Sequence, residues 1–237
     1  MNWFNFKNAS SQDFDLIITE KSVYKGAARD VSFRSIPGRS GDLVIDNKRY
    51  KNAVIKYDVT VLSDNVYNLA EETRGINSWL LTEAGYFRLY DSYDSGYFRL
   101  ASFAGEINIE QDMPLLGKSS IAFNCKPHKY SFAGQEPITL TEPGTINNPE
   151  SFPSLPYIKI TGSGNITIFI NNDSFVFTGA EDYMEIDSET MNAYKGTVPQ
   201  NSKMLTPKFP VLASGDNNIS WAGAVTGIEI IPRWCCL

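Results

Sequence analysis

Cysteine and histidine are scarce in this chain, and their scarcity removes whole classes of function. Three cysteines, Cys125, Cys235 and Cys236, stand in 237 residues. An odd number with two members adjacent suits neither a disulfide framework nor zinc, whose ligands need turn-forming spacings such as C-x2-C. His128 is the one histidine, and with no cysteine pair beside it a transition-metal site is not expected. No apolar run is long enough to cross a bilayer, and the opening MNWFNFKNAS lacks the apolar stretch of a secretory signal. The expectation is a protein folded in a cytoplasm, without membrane contact.

Catalytic templates are also missing. Gly117-Lys118-Ser119 resembles the end of a phosphate loop, but Asp112 occupies the place of its first glycine and Pro114 interrupts the backbone cradle. Gly38-Arg39-Ser40-Gly41 is one residue short of a nucleophile elbow and has no strand, turn and helix around it. The acids Glu181, Asp182, Glu185, Asp187 and Glu189 would satisfy a glycosidase in number. However, Glu185 and Asp187 alternate with Met184 and Ile186, as the solvated face of a strand does. The cations between Arg29 and Lys56, interleaved with Phe33, Tyr50 and Tyr57, are offset by Asp30, Asp42, Asp46 and Asp58, so a single-strand nucleic-acid groove is not expected. No enzyme, cofactor or metal site emerges.

What is present is the material of a β-rich globular protein. Hydrophobic residues make up 42% and charged residues 20%, enough for a packed core, and the 12 Tyr and 14 Phe favour strands. The charge is uneven. Residues 1–133 hold 16 Lys+Arg against 16 Asp+Glu, whereas 134–237 hold 5 against 11, which accounts for the net charge of -6. Two domains are expected, 1–133 and 134–237, with the junction at the start of a run rich in Gly, Pro and Asn from Ala133 to Pro153.

The first half predicts strands at 15–19, 53–61, 86–90, 97–101, 103–110 and 119–125. In the second of these, Ile55, Tyr57, Val59 and Val61 form the buried face. Pro37-Gly38 and Gly41 predict chain reversals. One amphipathic helix is expected, capped by Ser63 or Asp64, with Val66, Leu69, Thr73, Ile76 and Leu80 as its apolar stripe, Trp79 alongside and Gly85 ending it. The second half predicts strands at 157–161, 165–170, 174–178, 183–186, 209–212, 217–221 and 227–231. The turns between them are at Gly162-Ser163-Gly164, Asn171-Asn172-Asp173 and Gly215-Asp216-Asn217, a spacing that suits an antiparallel sandwich.

An ordered set of motifs carries a family resemblance. Trp3, Phe4 and Phe6, then IPGRSG at 36–41, GINSWL at 75–80, YFRLYDSYDSGYFRL at 86–100, IAFNCKPHKY at 121–130, NNPESFPSLPYIKITGSGNITIFIN at 147–171, FPVLASGDNNISW and GIEIIPRW follow one another along nearly the whole chain. Together they resemble the distal tail proteins of siphophages. The resemblance implies a mainly β fold: an N-terminal β-sandwich-like domain with one α-helix, followed by a C-terminal galectin-like jelly roll. It implies a non-enzymatic ring, typically a hexamer, at the tail tip of the virion. That ring would be assembled in the bacterial cytoplasm and would join the major tail tube protein to the tail-tip or tail-associated lysin protein and to receptor-binding or baseplate proteins. Pro37, Gly38, Arg39, Gly41, Trp79, Tyr86 and Tyr97 are the candidate assembly residues. A carbohydrate-binding tail module is the alternative, with Trp221, Trp234 and Tyr194 as candidate sugar platforms. The sequence departs from the family pattern in its last residues, Cys235-Cys236-Leu237, where two thiols either pack or bridge subunits.

Overall fold

The computed structural model describes residues 1–21, 25–63, 69–113 and 115–237. The chain separates into two compact units, Met1–Lys129 and Tyr130–Cys236.

The first unit contains β1 (Phe4–Phe6), β2 (Ala9–Ser10), β3 (Leu16–Glu20), β4 (Arg29–Arg34), β5 (Leu43–Tyr50), β6 (Ala53–Leu62), α1 (Leu69–Leu81), β7 (Phe87–Asp91), β8 (Tyr97–Ser102), β9 (Glu110–Met113) and most of β10 (Leu116–Ser131). Its main sheet has the order β2-β1-β7-β8-β10-β6-β3, with β9 also on β10, while among the described residues β4 and β5 pair only with each other. The expected alternation in β6 is present: Ala53, Ile55, Tyr57, Val59 and Val61 are buried, and β10 runs antiparallel to it from Leu116 opposite Leu62 to Cys125 opposite Ala53. Phe4 stacks on Tyr57 at 4.9 Å and on Trp79 at 5.6 Å, and Phe14 stacks on the other side of Trp79 at 4.5 Å. The helix thereby joins the sheet through aromatic contacts as well as through its buried Ile76 and Leu80.

Several expected boundaries move. Strand character over 103–109 is replaced by irregular backbone; Phe103, Ile107 and Ile109 still pack on the core, so apolarity there serves packing and not pairing. The 119–125 strand is longer than expected and continues through Pro127. Because β6 begins at Ala53, opposite Cys125, Pro127 lies past that ladder and its missing N–H removes no bond from it. The helix ends at Leu81, before Gly85, and Lys7 caps that end: Nζ donates to the carbonyls of Leu80 at 3.5 Å and, just past the helix, of Glu83 at 2.6 Å. Of the expected helix start, Ser63 donates its N–H to the Leu115 carbonyl at 3.0 Å, and Asp64 and Val66 lie outside the described residues. Gly117, Lys118 and Ser119 are strand residues of β10 and form no phosphate cradle.

The second unit begins with the end of β10 and continues through β11 (Ile138–Leu140), β12 (Gly144–Asn148), β13 (Tyr157–Ile170), β14 (Asp173–Ala180), β15 (Tyr183–Asp187), β16 (Asn192–Lys195), β17 (Val198–Pro199), β18 (Gly215–Ile231) and β19 (Cys235–Cys236). The turn-rich run that follows the expected junction supplies two strands, both on β18. Segments expected as 157–161 and 165–170 are one strand, and so are 217–221 and 227–231. Each long strand serves both layers of an antiparallel sandwich. β13 pairs with β15 through Tyr157–Thr161 and with β14 through Gly164–Ile170, while β18 pairs with β12 through Gly215–Ile219 and with β11 through Ile228–Ile230.

Glycine makes this shared bend possible. A Cβ on Gly162 would lie 2.4 Å from the Ala224 carbonyl oxygen, and one on Gly223, whose φ is +108°, would lie 2.4 Å from that of Asn165. The backbones of β13 and β18 cross too closely there for any side chain, and the register shifts at the same place. The expected turn at Gly162-Ser163-Gly164 is therefore a bend within a strand. Residues 209–212 form no strand: Leu212 and Ser154 exchange backbone bonds at 2.9 and 3.0 Å as an isolated bridge. The core is filled by Ile158, Ile160, Ile166, Ile168, Phe175, Phe177, Ile186, Ile228 and Ile230.

Candidate assembly surfaces

The pair β4 and β5 is a hairpin whose only strand partners among the described residues are each other. Its tip closes through the Arg39 N–H donating to the Ile36 carbonyl at 3.1 Å. Gly38, at φ +76°, occupies the third position of that turn, where a positive φ is required, and Pro37 presets the second. Gly41, at φ +86°, makes the second reversal. Arg39 is part of this exposed tip. Nearer its base the hairpin is tied by ion pairs: Arg29 grips Asp46 through Nη2 at 2.5 Å and Nε at 3.2 Å, and Asp30 takes Arg49 at 2.7 Å and Lys51 at 3.3 Å. The Arg49 guanidinium holds the Asp30 carboxyl below the usual carboxylate range, and Arg29 does the same for Asp46.

Between base and tip the hairpin is apolar on both faces. Phe33 and Val44 lie directly opposite each other and are 64% and 56% exposed, while Leu43 and Ile45 alternate to the other face and are also exposed. A two-stranded ribbon is marginally stable by itself in water, and exposed paired apolar residues with unpaired edges are the usual mark of a partner. Sequence reading selected the tip glycines but not Leu43, Val44 and Ile45. Their signal, three consecutive β-branched or aliphatic residues just after a turn, is the same one an internal strand would give.

The other selected residues are placed differently. Trp79 is held inside the first unit between Phe4 and Phe14, with its indole N–H donated to the Phe6 carbonyl at 2.9 Å. Tyr86 is exposed, and its hydroxyl accepts from the Asn52 amide at 3.0 Å while Lys126 lies 5.2 Å over its ring. Tyr97 is half-buried beneath Lys129, 5.1 Å away. The structure thus gathers Pro37, Gly38, Arg39 and Gly41 at one tip and leaves the three aromatics elsewhere in the unit.

In the second unit Trp234 is buried and its backbone lies against Gly134, where a Cβ would meet it at 2.4 Å. This corrects the expectation of a sugar platform at Trp234, since stacking requires an open ring face. Trp221 packs on the core and is half-buried. Tyr194 stays half-open beside a shallow depression lined by Asn192, Gly196 and Thr197. Below it an ionic cluster locks the chain: Arg233 grips Asp187 at 2.7 and 3.0 Å, and Asp187 Oδ1 also accepts the N–H groups of Glu189 and Thr190 at 3.0 and 3.2 Å. Burial pushes the Asp187 carboxyl up, but Arg233 and those N–H groups outweigh it and hold it below its usual value.

Residues 4–125 match the model of the siphophage tail family described as the phage tail protein RIFT-related domain. The chain belongs to that family. Among solved structures, the crystal structure of the Dit protein of phage SPP1, described as a paradigm of the hub adsorption apparatus in phages infecting Gram-positive bacteria, superposes with a TM-score of 0.79 over 100% of both chains at 12% identity. A chain of the phage P2 baseplate in its calcium-activated conformation gives 0.54 over 97% of each chain at 8% identity. The strontium-activated form of that baseplate gives 0.51. No curated protein sequence matches. This phage tail protein thus shares the fold of the SPP1 Dit chain along its whole length.

Proposed function

We propose that this tail protein is a non-enzymatic hub at the tail tip, six copies closing into a ring through the first unit. The ring would receive the tail tube on one side and present tail-tip and receptor-binding proteins on the other, after assembly in the bacterial cytoplasm. The exposed β4–β5 hairpin carries the reading: it has an apolar surface on both faces and, among the described residues, no strand partner outside itself. Ring closure needs heterologous contacts, in which one patch meets a different patch on the next copy, and a projecting arm is a simple way to supply one. Burying Phe33 and Val44 contributes about 1.5–3 kcal/mol for each side chain, repeated at every contact around the ring.

Native mass spectrometry and light scattering over a concentration series test this. The expected species move from 26.5 kDa toward about 159 kDa, six copies of that mass, and Phe33→Glu combined with Val44→Glu holds the chain at one copy. A wild-type protein that remains monomeric at hundreds of micromolar, or a double variant that still assembles, overturns the arm-closed ring.

A further inference from the structure

Of the three aromatics expected to hold a sugar, Tyr194 is the one that the fold sets beside a depression, and polar groups fixed from behind surround it. On β16 it alternates with the buried Ala193 and so faces outward, with Glu185 of β15 directly opposite on one side and Pro199 of β17 on the other. The depression has a volume of about 320 Å3, and its lining includes Asn192, Gly196, Thr197 and Pro199. Glu185 accepts the Tyr157 hydroxyl through Oε1 at 2.6 Å and the Gly196 N–H through Oε2 at 2.8 Å. Each carboxylate oxygen keeps a lone pair for a further donor. Asn192 is pinned through its Oδ1, which accepts from the Asn201 amide at 3.2 Å. The Asn192 Nδ2 and the Tyr194 hydroxyl have no partner among the described residues. The ring itself is bare. Tyr183, on the same face, has Lys159 and Lys195 at 5.0 and 5.4 Å over its ring, whereas among the described residues neither a cation nor another ring covers Tyr194.

A pyranose has C–H groups on its faces, which suit an uncovered aromatic ring, and hydroxyls around its rim, each of which both donates and accepts. Side chains held by a second hydrogen bond meet such hydroxyls with little further ordering cost. We propose that this depression binds one uncharged pyranose ring stacked on Tyr194, with Glu185 accepting from its hydroxyls and Asn192 and Thr197 donating to them. The ligand's charge follows from the surroundings. Burial pushes the Tyr194 phenol up, and the Glu185 and Asp187 carboxylates push it the same way against Arg233. Residues 134–237 carry 5 cations against 11 anions, so an acidic sugar is disfavoured. A single copy suffices for this binding, which therefore does not rest on the proposed ring. Should the ring form, its copies would add weak contacts into avidity.

Amide correlation spectra of the full chain, titrated with the methyl glycosides of glucose, galactose and N-acetylglucosamine and with glucuronic acid, test the site. The expected result is a saturable shift of the Asn192–Thr197 amides by at least one uncharged glycoside, with a midpoint on the order of millimolar. Glucuronic acid should bind at least about tenfold more weakly. Tyr194→Ala should abolish the shift, and Glu185→Gln should weaken binding about tenfold, the loss of one charge-assisted bond. No saturation by any of the three glycosides up to about 50 mM overturns the proposal. So does binding that Tyr194→Ala leaves unchanged, or a preference for glucuronic acid. Asn192 is exposed, so Asn192→Ala decides the matter should Tyr194→Ala fail to fold: unchanged affinity in that variant overturns the site.

Discussion

Cys235 and Cys236 are neighbours in sequence and unlike in surroundings. Cys235 is buried, its thiol lies 3.6 Å from the Pro153 carbonyl oxygen, and burial pushes its pKa up to about 12. Thiolate is the reactive form, so this residue does not suit a bridge between subunits. With Cys125 buried in the other unit, native protein at pH 8 should react with a thiol reagent at no more than one cysteine per chain, and at all three after denaturation. A second fast-reacting thiol in the native state would contradict this. Asp187 makes a different prediction. Its native pKa lies below its ordinary value, so its contribution to stability is complete above the unfolded carboxylate range and is lost as pH falls through the depressed native value. Melting temperature should fall steeply below about pH 4, and Asp187→Asn should flatten that fall. An unchanged acid slope in the variant would remove Asp187 from the account.

Among elements, the bend shared by β13 and β18 makes the sharpest demand on sequence. Gly223→Ala meets both a carbonyl oxygen and a positive φ and should cost about 2 kcal/mol or more in denaturant melts. Gly26→Ala, with open space around it, should cost less than about 1 kcal/mol and serves as the control. Equal effects would mean that the close crossing does not constrain the fold. Lys7→Ala, which uncaps α1, should cost about 0.3–1 kcal/mol. These two features mark the limit of what the sequence makes legible. The alternation of β6, the Pro37-Gly38 turn and the Ile76 and Leu80 face are local, with a period or a turn chemistry that can be read directly. Lys7 meets α1 more than seventy positions away, and Gly162 meets Ala224 at a similar separation, so no window along the chain reveals either. Gly162-Ser163-Gly164 reads as a turn because glycine pairs mark turns and strand bends alike. Trp234 reads as a platform because an aromatic near a chain end gives no sign of its burial. The hairpin was legible at its tip, where backbone conformation dictates residue type, and not along its apolar strands.

For the whole molecule, charge and apolar surface are divided between the units. The first carries 16 cations against 16 anions over residues 1–133, so self-association through its arm should depend little on sodium chloride between about 0.05 and 0.5 M. Sedimentation measurements showing an order-of-magnitude loss of association across that range would point to ion pairs in place of Phe33 and Val44. The second unit answers a different requirement. β12 and β11 belong to opposite layers of the sandwich, yet both are stitched to β18, and β14 and β15 are likewise both stitched to β13. Tension on one layer is therefore carried into the other along two continuous backbones, and the layers cannot be peeled apart without stripping rows of ladder bonds. A module made in this way can pass a pull from one face to the other without relying on its side-chain core to bear it.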